Sequence, residues 1–187
     1  MHEIRAVYDD ETITVYQAYS PAIAEPAVRA GRFVPPFKRD RMTWVKPSFL
    51  WMMYRCGWAL KEGQERVLAV SITREGFDWA LANAVLSHYK RGAHPDRATW
   101  QRELKRAPIR VQWDPERDLN LRELPYRSLQ LGIGGVAVPR YVDEWITGIS
   151  DPTGLVREIH GRADRASLLP VERPYPMPSE ALHLVAG

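Results

Sequence analysis

Polar and apolar residues alternate along "ETITVYQAYS", residues 11–20, with Ile13, Val15, Gln17 and Tyr19 on one side and Thr12, Thr14, Tyr16 and Ala18 on the other. A period of two with β-branched residues on both sides predicts a strand. The pattern then changes. In "SPAIAEPAVRAG", Ser20 suits a helix cap, Pro21 the first helical position and Gly31 the residue just past the end. Pro26 falls inside this helix, where its missing N–H predicts a kink or a break. "RMTWV" (41–45) reads as a short strand, followed by a helix from Pro47 through "PSFLWMMYRC" to Gly57. Phe49, Met52, Met53 and Cys56 share one helical stripe there. "RVLAVSIT" (66–73) is almost continuously apolar and predicts a central strand. "REGFDWALANAVLSHYKRG" (74–92) predicts an amphipathic helix with Phe77, Leu81, Val85 and His88 on its buried side.

Further along, "PDRATWQRELKRAP" predicts a short charged helix capped by Asp96, and "IRVQWDP" (109–115) a strand ended by Asp-Pro. "YRSLQLGIG" (126–134) sets Tyr126, Ser128 and Gln130 against Arg127, Leu129 and Leu131, another strand. Helices are expected around "PRYVDEWITGI" (139–149) and from Pro152 to His160. The four prolines of "LLPVERPYPMPSE" predict that residues 167–187 form an arm, extended over the surface or partly disordered, beside a globular body at 1–166. Strands and helices mixed without a regular βαβ rhythm imply an α+β class. The expectation is a single compact domain whose β-sheet, mixed or mostly antiparallel and whole or split, is flanked by helices.

Composition removes several function classes. With a single cysteine, Cys56, the 187-residue chain can form no internal disulfide and no Cys₂His₂ or Cys₄ zinc site. The five histidines show neither metal spacing nor a partner for Cys56, so no metal is expected. "MHEIRAVYDDETITVYQ" lacks the pattern of a signal peptide, and no apolar run approaches the roughly 18 residues of a membrane span. A cytoplasmic protein without a membrane partner is the expectation. A net charge of +3 permits contact with phosphate without demanding nucleic acid. "GIGG" (132–135) lacks both the Lys-Ser/Thr of a P-loop and Rossmann spacing, and reads as a turn. No G-x-S-x-G elbow is present.

Candidate chemistry concentrates at residues 38–58. Lys38, Arg39, Arg41 and Lys46 precede the helix placed at Pro47. A helix start exposes free N–H groups and partial positive charge, so cations gathered there call for an anion. Thr43 adds a hydroxyl, while Trp44, Trp51 and Trp58 add stacking surface. The alternative is a solvated basic loop beside core tryptophans. Gln17 and Tyr19 on one strand, with Tyr126, Ser128 and Gln130 on another, either line one cleft or form the wet faces of an antiparallel sheet. Arg127 lies beside Ser128, and Glu144 is a candidate carboxylate that could equally be plain surface.

"IRAVYDDETITVYQAYSPAIAEPAV", "RMTWVKPSFLWMMYRCGW", "QERVLAVSITREGFDWAL", "VQWDPERD" and "YRSLQLGI" together resemble the bacterial and fungal family catalogued as domain of unknown function 4291. The similarity covers residue 4 to about 157. "VYQAYSPAIAEPAVRAGRF" is also similar in layout to the first motif of ADP-ribosyltransferases, in which a strand, a helix and a glycine follow one another. That resemblance implies NAD as cofactor, with Gln17 where the family places a ribose-holding residue, and Tyr126, Gln130 and Glu144 as downstream counterparts. The expected function is a small enzyme, a transferase acting on a nucleotide-like or phosphorylated ligand. Arg41 and Lys46 would hold phosphate, Gln17 and Tyr19 would orient a ribose, and a carboxylate would stabilise an oxocarbenium-like centre. The alternative is a non-enzymatic RNA-binding module using "FKRDR", "YKRGAHPDR" and "RELKRAPIR". Nucleic acid thus enters as ligand or as acceptor. Lys46 as a covalent nucleophile is a third reading, although "VKPS" lacks the Lys-x-Asp-Gly pattern of nucleotidyl-transfer ligases.

Overall fold

Two sheets that touch at one backbone bridge organise the computed structural model, which describes residues 1–91 and 93–185. The first is antiparallel in the order β2 (Thr12–Tyr19), β4 (Arg66–Thr73), β8 (Ile146–Ser150). The second runs β3 (Thr43–Val45), β7 (Glu123–Ile133), β6 (Ile109–Arg117), β5 (Ala84–Leu86), with only the β5–β6 pair parallel. Tyr16 and Lys46 join the sheets, each donating its backbone N–H to the other's carbonyl at 2.7 and 3.1 Å. The chain is a single compact α+β domain with a split, mostly antiparallel sheet system.

β4 is central in its sheet, as its apolar run requires: Val67, Leu68, Val70 and Ile72 are all buried. On β2, Ile13, Val15 and Gln17 are buried on one face and Tyr16 on the other, so this strand has no wet face. The core divides accordingly. One cluster contains Ile13, Val15, Phe77, Leu129, Leu131 and Tyr141. The second places Phe49, Met52, Met53 and Cys56 of α2 (Phe49–Cys56) against Tyr16, Val67 and α6 (Thr153–Gly161). The sulfur-rich stripe of residues 49–56 is therefore core.

Several expected boundaries move, each for a local reason. α1 (Pro21–Ala30) runs unbroken through Pro26, because the carbonyl left unpaired belongs to the exposed Ala22. α2 begins at Phe49, two residues after Pro47, where Ser48 Oγ accepts the Trp51 N–H. The long helix expected over 74–92 stops at Ala82 as α3 (Arg74–Ala82); Ala84 to Leu86 instead pair with β6, and His88 is exposed. Apolar spacing suited both readings, and the open edge of β6 decided between them. β6 continues past Asp114-Pro115 through an irregularity in its pairing. The helix expected at 139–149 is only α5 (Ala137–Arg140) plus a π-type turn at Tyr141–Trp145, and "ITGIS" becomes β8. In "GIGG", Gly132 and Ile133 still belong to β7, and the turn falls at Gly135 and Val136.

α4 (Arg97–Arg106) is the expected charged helix, capped by Asp96 Oδ1 accepting the Thr99 N–H at 2.7 Å. The described part of the C-terminal arm, residues 167–185, packs on the body. β9 (Arg173–Pro174) pairs with β1 (Arg5–Ala6), Tyr175, Ala181 and Leu184 are buried, and Trp113 Nε1 donates to the Leu184 carbonyl at 3.0 Å. Residue 92 of the expected helix and residues 186–187 of the arm lie outside the described residues.

Candidate functional site

Where the sheets part beyond the Tyr16–Lys46 bridge, Gln17 and Tyr19 of β2 meet Thr43 of β3. Gln17 is 2 % exposed. Its Nε2 donates to Thr43 Oγ1 at 2.5 Å and to Tyr19 Oη at 2.8 Å, and Tyr19 and Thr43 share a further hydrogen bond at 2.8 Å. Tyr141 completes the set by donating its hydroxyl to Gln17 Oε1 at 2.6 Å. Both amide N–H groups and the carbonyl oxygen of Gln17 are thus engaged. Gln17 thereby orients the Tyr19 and Thr43 hydroxyls. Burial pushes the Tyr19 phenol up to about 12, against the opposing effects of the Thr43 bond and the Arg41 charge. Tyr19 is therefore a neutral hydroxyl at physiological pH.

Gln17, Tyr19 and Thr43 of this network line a cavity of about 530 Å³, within the size range of small-molecule sites. Lys38, Arg41 and Lys46 line it together with Trp44 and Phe37, and among the described residues no carboxylate does. Lys38 and Arg41 are exposed at its rim, whereas Lys46 is 6 % exposed. Burial, and then the Arg55 charge, draw the Lys46 ammonium down to about 8 despite the opposing influence of Cys56 and Asp114.

A second cavity of about 560 Å³ shares Trp44 and Lys46 with the first. Gln112, Asp114 and Gln130 form part of its lining, with Arg55 and Arg117 contributing cations. The Asp114 carboxylate accepts from Gln112 Nε2 at 2.8 Å and from Gln130 Nε2 at 2.6 Å, which fixes both amides. Trp44 lines both cavities and lies opposite Gly132 on β7. A Cβ at Gly132 would sit 2.9 Å from Trp44 Cζ2 and 2.8 Å from Met42 Sδ. Only a glycine lets the indole rest on that strand.

The helix-start anion site requires a correction. The Phe49 N–H at the start of α2 donates to Glu172 Oε1 at 2.6 Å, so a carboxyl oxygen of the C-terminal arm already occupies that position. The Ser48 and Ser128 hydroxyls are turned toward a further buried carboxyl, Glu116, whose acidity burial weakens.

The structure thus brings Gln17, Tyr19, Arg41, Thr43, Trp44 and Lys46 together in the first cavity and Gln130 into the second. It places the other candidates elsewhere. Arg39 makes a two-bonded ion pair with Asp143 at the surface, at 2.6 and 2.9 Å. Glu144 is exposed and 3.3 Å from Arg140. Arg127 donates to the Trp113 carbonyl at 3.1 Å, and its own N–H to the Met1 carbonyl at 2.9 Å. Tyr126 is half-buried on β7. Tyr141, Gln112 and Asp114 were not singled out from sequence. The polar alternation of Arg110, Gln112 and Asp114 in "IRVQWDP" was a usable signal for the last two, whereas Tyr141 offered none, since its partner lies 124 residues away.

Tyr141→Phe is expected to lower stability by about 1–2 kcal/mol, because a buried amide oxygen loses the one donor it has among the described residues. Urea unfolding of both proteins checks this, and equal midpoints would show that Gln17 finds another donor.

Among the described residues, no group of three or more His, Cys, Asp or Glu side chains is placed to hold a metal ion. No helix there is long and apolar enough to cross a membrane. The model of a family described as a domain of unknown function (DUF4291) matches residues 3–177. A comparison with curated proteins returns no match.

Proposed function

The chain belongs to the family described as a domain of unknown function (DUF4291), and from its site geometry we propose that it binds a phosphorylated, nucleotide-like small molecule in the first cavity. One observation carries this reading: among the described residues, three cations and no carboxylate line a cavity of nucleotide size. Arg41 and Lys38 at the rim suit a phosphate or diphosphate, since exposed cations reach an anion without a large desolvation cost. The Tyr19 and Thr43 hydroxyls, held by Gln17, suit sugar hydroxyls, and Trp44 offers a stacking face.

NAD and ADP-ribose are the members of this class to test first. An ADP-ribosyl transfer would need a carboxylate near the reacting sugar, and Asp114 is the carboxylate lining the adjoining cavity. Glu144, exposed on the π-type turn, lines neither cavity.

The test is thermal denaturation with NAD, ADP-ribose, AMP and a short RNA at two salt concentrations. A ligand at about 100 times its Kd adds about 2.7 kcal/mol of stability. Arg41→Ala should weaken a phosphorylated ligand about ten- to a hundredfold, the worth of one charge-assisted contact, with little change in the free protein's melting temperature. An unchanged affinity would remove Arg41 from the site. Stabilisation by RNA alone, vanishing at high salt, would instead favour nucleic-acid binding through the basic surface.

A further inference from the structure

Lys46 differs from every other cation in the two cavities. Its backbone is pinned by both hydrogen bonds to Tyr16, its side chain is buried, and it lines both cavities. Among the described residues it has no ion pair and its Nζ makes no hydrogen bond. A phosphate needs no such arrangement, because Arg41 and Lys38 already supply exposed charge at the rim. A largely buried amine on a pinned backbone, with no anionic partner and with Arg55 as a neighbouring cation, is instead the arrangement that makes lysine a nucleophile.

We propose that Lys46 is a covalent nucleophile that forms an imine with the aldehyde of a phosphorylated ligand whose phosphate is held by Arg41 and Lys38. This rests on the first cavity being a phosphate site. The neutral amine adds to the carbonyl carbon, forming the N–C bond. The resulting carbinolamine then loses the former carbonyl oxygen as water, which carries away the two amine protons and leaves a C=N bond. Open-chain sugar phosphates and the terminal ribose of ADP-ribose belong to this class, since each presents an aldehyde in equilibrium with its ring. The lowered basicity of Lys46 supports the assignment by leaving a large neutral fraction near pH 8.

The chain has five lysines, at 38, 46, 61, 90 and 105, so adduct mapping resolves each one. The full-length protein is treated with pyridoxal 5′-phosphate or with pyridoxal across pH 6–9, then reduced with borohydride and mapped by mass spectrometry. The expected result is a single adduct at Lys46, formed about tenfold faster with the phosphorylated aldehyde. Its rate should rise through pH 8, the phosphate advantage should be lost in Arg41→Ala, and prior ADP-ribose should protect. Lys46→Arg keeps the cation, and its melting curve shows whether the fold survives; the wild-type map decides the matter if it does not. Labelling spread over the other lysines, or sparing Lys46, overturns the proposal. If ADP-ribose stabilises the protein but Lys46 stays unmodified, phosphate binding stands and the nucleophile is refuted. Equal labelling by both aldehydes refutes the phosphate site and leaves the nucleophile supported.

Discussion

Replacing Gly76 with alanine is expected to lower stability by about 2 kcal/mol, although alanine is the better helix former by about 1 kcal/mol. Packing reverses the sign. A Cβ at Gly76 would lie 2.4 Å from Trp145 Cγ, 2.6 Å from Cδ1 and 2.8 Å from Cδ2. These atoms are at the root of the indole, so no swing of a flexible tip relieves the clash. Trp145 is itself buried, with Trp79 at 5.7 Å and Tyr141 at 6.4 Å between ring centroids. Overpacking of this kind costs about 1–3 kcal/mol, and the shortness of the contacts places it at the upper end. In a chain of this length the loss corresponds to a melting temperature lower by about 4–8 °C. The same shift would disturb the turn that carries Tyr141 and, through it, Gln17 at the cavity wall. Urea unfolding measures the change, and a stability gain of the size expected from helix propensity would show that α3 and the 141–145 turn can separate freely.

Glu172→Gln is expected to stabilise the protein increasingly as pH rises. Burial pushes the Glu172 carboxyl up to about 8, and the nearby Glu116 adds to the shift, while the Phe49 N–H and Arg5 oppose it. The folded-state value is raised above the ordinary 4.5, so the native protein holds a proton that the unfolded chain releases. Stability therefore falls as pH climbs from about 4.5 to about 8 and levels off beyond. Glutamine keeps an oxygen for the Phe49 N–H and carries no charge at any pH. The difference between variant and wild type should be small at pH 5 and about 2–4 kcal/mol at pH 9. The upper figure is reduced because Glu172 keeps partial solvent contact. Parallel stability curves for the two proteins from pH 5 to pH 9 would show that Glu172 is ionised in the fold.

Legibility followed the range of the forces involved. β2 and β4 were readable to within a residue because their periodicity and β-branched content are local properties, and α4 because Asp96 caps it three residues from its partner. The 74–92 region misled because Val85 and Leu86 satisfy a helical period as well as a strand. The deciding contact is the parallel pairing of Ala84–Leu86 with residues 109–111. The site shows the same division. Gln17, Tyr19, Thr43, Trp44, Arg41 and Lys46 were legible as polar, aromatic or cationic residues in unusual neighbourhoods. The distinction between an exposed Arg41 and a buried Lys46 five residues on was not.

By itself, the sequence determined the α+β class, the principal strands, the apolar stripe of α2 and the exclusion of an internal disulfide, because each depends on neighbours in the chain or on composition. Only the tertiary structure decided that the start of α2 is occupied by Glu172, that Tyr141 completes the Gln17 network and that Lys46 lines two cavities. Those outcomes join residues 123 or 124 positions apart, or depend on how two sheets separate beyond a single bridge. Burial and pairing across such distances are properties of the packed chain, and no local pattern encodes them.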